Sequence, residues 1–157
     1  MKIQLWSIGK PHEASLKTAI DDFTKRMSRY FPVEWKIIPG PKNSATLPEE
    51  ELKIKEAELI ISLLKKDDYL VILDERGEMF TSERLATFIE SRSNQSIKNL
   101  VFLIGGAFGL DNAIVSRANQ KWSLSQLTFP HQLVRLVVAE QLYRACTILK
   151  NEKYHHK

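Results

Sequence analysis

Leu100-Val101-Phe102-Leu103-Ile104-Gly105-Gly106-Ala107-Phe108-Gly109-Leu110 decides the fold class. Five apolar residues in a row suit a strand covered on both faces, because successive side chains point to opposite sides. Glycines follow at once, where the backbone must turn sharply or approach something closely. Asp111 then stands where an N-cap opens a short helix. A strand, a glycine turn and a helix in that order form the unit of an α/β sheet, in which ligands bind beyond the carboxyl ends of the strands.

Upstream, the same grammar repeats. Lys2–Ile8 alternates polar and apolar residues and reads as a strand. His12–Tyr30 carries Leu16, Ala19, Ile20, Phe23, Met27 and Tyr30 at helical spacing, and Pro32 stops it. Val33–Ile38 reads as a strand and Pro39–Ser44 as a loop. Leu47 to Lys66 reads as a helix with acids in its first turns, as the helix dipole favours. Tyr69–Leu73 is a second continuous apolar run, ending at Asp74-Glu75-Arg76-Gly77. Ser82 to Ser91 reads as a helix with Thr81 or Ser82 as its cap. The expected fold is α/β: one domain over residues 1–157, a mostly parallel sheet of roughly five strands, and helices on both faces.

Composition narrows the function classes. No apolar run reaches the roughly 18 residues of a membrane span. The Met1–Gly9 start lacks the pattern of a signal peptide. Cys146, the single cysteine, cannot close an internal disulfide or build a thiolate metal site alone. A reducing cytoplasm, without membrane or metal, is the expectation. Net charge is +4, unevenly spread. From Arg117 onward there are seven Lys/Arg and two Asp/Glu, against sixteen and seventeen before it. Three of the four histidines share that last stretch. A one-sided basic segment suits an anionic partner such as nucleic acid, or is a solvated basic surface.

The glycine run is neither a dinucleotide fingerprint, since Ala107 stands at its third position, nor a phosphate loop, since no Gly-Lys-Ser/Thr follows. The less ordinary stretch is Trp122-Ser-Leu-Ser-Gln-Leu-Thr-Phe-Pro-His-Gln-Leu-Val-Arg135. It begins as a strand, turns irregular, and opens a helix at Pro130, with Thr128 as a candidate cap. His131 and Arg135, four apart, share a face of that helix, and Glu140 and Arg144 are spaced for an ion pair. Apolar residues go most of the way round this helix up to Lys150, which requires burial on nearly all sides. A second copy of the chain, packed on it in a homodimer, is the expected cover; the alternative is a central core helix. The tail, Asn151 to Lys157, ends on Tyr154-His155-His156-Lys157, where an aromatic ring suits base stacking and an imidazole suits phosphate or proton chemistry.

Ile104-Gly105-Gly106, Trp122-Ser-Leu-Ser125, Leu127-Thr-Phe-Pro-His-Gln-Leu-Val-Arg135, Glu140-Gln-Leu-Tyr-Arg144 and Tyr154-His155 together resemble the RlmH family of SPOUT-class methyltransferases, which act on 23S ribosomal RNA. The resemblance spans the whole chain. It implies a trefoil knot in the C-terminal part, S-adenosylmethionine as cofactor, and a homodimer. It also implies methylation at N3 of pseudouridine 1915 in helix 69 of 23S rRNA, in the assembled ribosome. Carried over motif by motif, it places cofactor contacts on Leu73, Gly105 and the segment Leu124, Ser125, Gln126, Leu127, Thr128 and Phe129. Polar residues near the methyl donor fall on His131, Arg135, Tyr154 and His155. Two other readings stand beside it: a knotted methyltransferase acting on tRNA, and a ribosome-binding factor without catalysis.

Overall fold

A computed structural model describes residues 1–156; the last residue of the Tyr-His tail, Lys157, lies outside them. Five strands among the described residues join one sheet in the order β2-β1-β4-β3-β5: β1 Lys2–Ile8, β2 Val33–Ile38, β3 Tyr69–Met79, β4 Asn99–Ile104 and β5 Gln120–Ser123. Every neighbouring pair is parallel. The helices between and after them are α1 Ala14–Met27, α2 Glu49–Leu63, α3 Ser82–Asn94, α4 Asn112–Arg117 and α5 His131–Leu149.

The apolar runs divide by the two-residue period of a strand. Leu100, Phe102 and Ile104 join Ile3, Leu5 and Val71 in a core that includes Leu85 and Ile89 of α3 and Val138, Leu142 and Ala145 of α5. Val101 and Leu103 point the other way, with Trp6, Ile8, Leu70 and Ile72, onto Ala57 and Ile60 of α2 and Ile114 of α4. Helix α5 packs against both α1 and α3 on the first face. Its enclosure on nearly all sides is thus largely provided by its own chain. A stripe that its own chain covers only in part runs through Leu133, Val137, Glu140 and Arg144. No helix among the described residues is long and apolar enough to cross a membrane.

Several boundaries differ from expectation for identifiable reasons. Helix α2 ends at Leu63 rather than Lys66, because the Asp68 carboxylate accepts the Lys65 backbone N–H at 2.8 Å and holds a turn there. Thr128 does not cap α5; Pro130 occupies the cap position, and the Thr128 hydroxyl donates to Glu75 at 3.3 Å. Strand β3 does not end at Leu73. It leaves the ladder there and returns, so that Leu73 and Glu78 both lie opposite Trp122. Gly77 makes the return fit: a Cβ on it would lie 2.7 Å from the Lys121 carbonyl carbon.

Candidate active site

The excursion of β3 and the carboxyl ends of β4 and β5 open onto one cavity of about 590 Å³, a size typical of small-molecule sites. Three chain segments form most of its wall. The first is the excursion of β3, with Leu73, Asp74, Glu75 and Arg76. The second is the turn from Ile104 to Leu110. Gly109 takes φ +82° there, and its N–H bonds the Gly106 carbonyl at 3.2 Å to close the turn. The third is the segment from Leu124 to Phe129, which serine side chains order in place of a ladder. Ser123 Oγ donates to the Ser125 carbonyl at 2.9 Å, and Ser125 Oγ accepts the Leu127 N–H at 3.0 Å. Exposed Leu127 and Phe108 both line the opening.

Seven of the eight residues expected at a cofactor line this cavity: Leu73, Gly105, Leu124, Ser125, Leu127, Thr128 and Phe129. Gln126 does not. His131, in the first turn of α5, completes the wall with Val134. Helix α2 adds residues that the sequence reading did not single out. Glu49 and Lys53 line the cavity, and Glu56, one turn further, backs the glycine turn. A Cβ on Gly106 would lie 3.3 Å from Glu56 Oε2, and burial raises that carboxyl above its ordinary value. The 49, 53, 56 spacing on one helix face was the available signal. At Asp74, burial pushes the carboxyl up, but the backbone N–H and guanidinium of Arg76 outweigh it and hold the value below normal.

The remaining expected residues do not join that wall. Arg135 is 0% exposed. It sits beneath the end of β1, where its Nε donates to Ser7 Oγ at 2.9 Å and its Nη1 to His12 Nδ1 at 3.2 Å. Tyr154 and His155 gather at the other end of α5. Arg144 grips Glu140 through Nε at 3.0 Å and donates from Nη1 to His155 Nδ1 at 3.2 Å. The Tyr154 hydroxyl donates to Glu140 Oε1 at 3.1 Å, and the Arg144 guanidinium lies 4.7 Å from the centre of the Tyr154 ring. His155 Nε2 meets Glu83 Oε1 at 3.1 Å. Burial and the Glu140 carboxylate both raise the Tyr154 hydroxyl above its ordinary value, so it remains a donor. The Glu140–Arg144 pair, read from spacing as an ion pair, is therefore the mount for the tail.

Two polar groups thus occupy one helix. His131 and Arg144 are thirteen residues apart, about 20 Å along the axis at 1.5 Å per residue. The cavity and the tail cluster thus lie toward opposite ends of α5.

Residues 1–155 match the family described as "Predicted SPOUT methyltransferase". Curated relatives are similar over their full length. A protein named "Ribosomal RNA large subunit methyltransferase H" from Cytophaga hutchinsonii is 49% identical over 99% of this chain and 100% of its own. Proteins of the same name from Parabacteroides distasonis and Flavobacterium johnsoniae are 45% and 48% identical, over the whole of both chains. Among solved structures, the tRNA (m1G37) methyltransferase from Aquifex aeolicus matches with a TM-score of 0.54 at 13% identity. The match covers 92% of this chain and 70% of that one, and it carries the fold alone.

Proposed function

The chain belongs to the SPOUT methyltransferase family, and from that premise we propose that it is an S-adenosylmethionine-dependent ribosomal RNA methyltransferase. Its proposed target is N3 of pseudouridine 1915 in helix 69 of 23S rRNA, on the assembled ribosome in the cytoplasm. One observation carries the cofactor part of this reading. Seven residues that the resemblance assigns to a cofactor converge on one cavity from three separate segments. The cavity also fits the group physically. Gly105 and Gly106 line it with backbone alone, the places of their missing Cβ atoms being taken by the Leu110 and Glu56 side chains, and the serine-ordered segment offers backbone groups rather than charges to an adenine ring. When bound, S-adenosylmethionine supplies a methyl carbon made electrophilic by its sulfonium. The trefoil threading of the C-terminal part belongs to the same proposal.

N3 of a pseudouridine holds its proton between two carbonyls and is a poor nucleophile until it loses it. The protein must therefore orient the base, accept one proton and offset charge growing on the carbonyl oxygens. His155 has both ring nitrogens engaged, by Arg144 and by Glu83. His131 stands in the cavity wall without such partners among the described residues, and is the proton acceptor in this reading. The Arg144 guanidinium, with N–H groups left beyond its bonds to Glu140 and His155, supplies donors for the base, and the Tyr154 ring stacks on or orients it.

These groups meet through a homodimer. A partly covered stripe of α5 holds Leu133, Val137, Glu140 and Arg144. Two copies packed antiparallel along it set the tail cluster of one against the cavity of the other, spanning the 20 Å that separates them in one chain.

The test is transfer of labelled methyl from S-adenosylmethionine to ribosomes lacking the modification, followed by mass spectrometry of helix 69. One methyl on that pseudouridine is expected. Label found only on tRNA would transfer the assignment to a tRNA methyltransferase. Ribosome binding without any transfer would make the protein a binding factor.

A further inference from the structure

The buried Arg135 poses an accounting problem. A guanidinium has five N–H donors and one full charge, and burial is tolerated when both are matched. Arg135 is 0% exposed, yet its two bonding partners, Ser7 Oγ and His12 Nδ1, are neutral acceptors. Among the described residues no carboxylate bridges it. The acid acting on it at a distance is Glu13, which lies on the surface. Its Nη2 is buried without a partner among the described residues.

That nitrogen lies beside the turn that follows β1. Gly9 ends β1 with φ +124°, a conformation that side chains disfavour. The point a Cβ would occupy on Gly9 is 3.9 Å from Arg135 Nη2 and 4.0 Å from His131 Nε2. Apart from Gly9 and its two chain neighbours, these are the described atoms within 4 Å of that point, so the two nitrogens flank the Gly9 turn together. The sheet order explains the location. In β2-β1-β4-β3-β5, the connections from β1 and β4 leave toward opposite sides, and Ser7 pairs with Ile104 at the very end of both strands. A crevice between such strands is where α/β sheets take ligands. His131 joins the two regions, lining the cavity on one side and meeting Gly9 on the other.

We propose that the Gly9 turn, with Arg135 Nη2 and His131 Nε2, is a subsite for one ligand oxyanion, a carboxylate or a phosphate oxygen. It neutralises the buried guanidinium when the ligand is bound. This rests on the methyltransferase reading for the identity of the ligands: the carboxylate is that of the methionine end of the cofactor, the phosphate that of the RNA backbone. With Nε2–H donating to the oxyanion, His131 keeps Nδ1 as its acceptor, the tautomer that the proposed proton transfer uses.

The experiment is titration calorimetry of the full-length protein with S-adenosylmethionine and with decarboxylated S-adenosylmethionine, for the native chain and for Arg135→Gln. Binding of a helix 69 RNA is measured in parallel as a function of salt. For a carboxylate, the native protein prefers S-adenosylmethionine by about tenfold or more, as a charge-assisted hydrogen bond gives. Arg135→Gln abolishes that preference while binding decarboxylated S-adenosylmethionine as the native chain does. For a phosphate, the native protein binds both cofactors alike, and Arg135→Gln weakens RNA binding and lowers its salt slope by about one. A variant that binds all three ligands as the native chain does, or loses both cofactors equally with no change in RNA salt slope, overturns the subsite. If Arg135→Gln does not fold, Arg135→Lys serves, with a reduced cofactor preference or reduced salt slope expected. Failure of the native protein to bind either cofactor sinks the methyltransferase reading instead, and the RNA arm alone then decides the subsite.

Discussion

The Nη1 group of Arg144 lies 3.2 Å from Nδ1 of His155. A guanidinium only donates, so Nδ1 must accept, and the imidazole proton resides on Nε2, facing Glu83 Oε1 at 3.1 Å. One tautomer of His155 is thereby fixed by its neighbours. Long-range nitrogen–proton correlation spectra of the imidazoles at neutral pH should show His155 with its proton on Nε2. The Arg144→Met variant should relax that preference. A native spectrum with the proton on Nδ1 would disprove the assignment and restore His155 as an available base.

The separation of His131 from Arg144 makes a sharper demand. If the tail of one copy serves the cavity of the other, two differently disabled copies can rescue each other. Gly105→Phe blocks the cavity, and Tyr154→Ala removes the tail ring. Each alone should lose nearly all methyl transfer. Mixed at equal amounts after denaturation and refolding together, half of the dimers pair one copy of each kind, and each such dimer keeps one intact site of two. Activity should return to about a quarter of the native level. A mixture as inactive as its components places the tail in its own subunit's site.

Much of this was legible in the sequence because apolar runs have few alternatives. Tyr69–Leu73 and Leu100–Ile104 could only be strands buried on both sides, and the parallel sheet follows. The Leu124–Phe129 segment was recognisable by its motif. Other features were hidden because they depend on partners distant in the chain. Spacing set His131 and Arg135 on one face of α5, but not that Ser7 and His12, more than a hundred residues earlier, close over the guanidinium. Apolar residues around α5 suggested a second copy as cover. Helices α1 and α3 supply most of that cover, because a helix that follows the sheet can settle between two others on one face. The return of β3 was invisible since its signal is a lone Gly77 in a polar stretch, which reads as a loop.

Gly77 provides the stability test. An alanine Cβ there would meet backbone atoms of Lys121 and Trp122 at 2.7–2.9 Å, and backbone cannot step aside as a side chain can. Gly77→Ala should cost about 2 kcal/mol, lowering the melting temperature by about 4–8 °C. Gly105→Ala is the informative contrast. Its Cβ meets the Leu110 side chain at 3.0–3.1 Å, which can rotate, so stability should fall less. Equal losses in calorimetric melting would contradict the role of Gly77 in re-registering β3.

His12 gives the fold a defined response to acid. Burial, then the charge of Arg135, lowers its imidazole below the ordinary histidine value of 6.5, and the ring packs edge-on against Trp35 at 4.7 Å. As pH falls, the unfolded chain therefore takes up this proton before the folded one. The contribution to stability is complete above 6.5, declines as pH drops below it, and levels off once the folded imidazole is also protonated. Urea unfolding between pH 8 and pH 5 should show that decline beginning near the unfolded imidazole value. His12→Gln, which cannot titrate, should show a shallower decline over the same interval, even if it is less stable throughout. Parallel curves for the two proteins would mean that His12 titrates alike in both states, and that the buried charge of Arg135 is not felt at its ring.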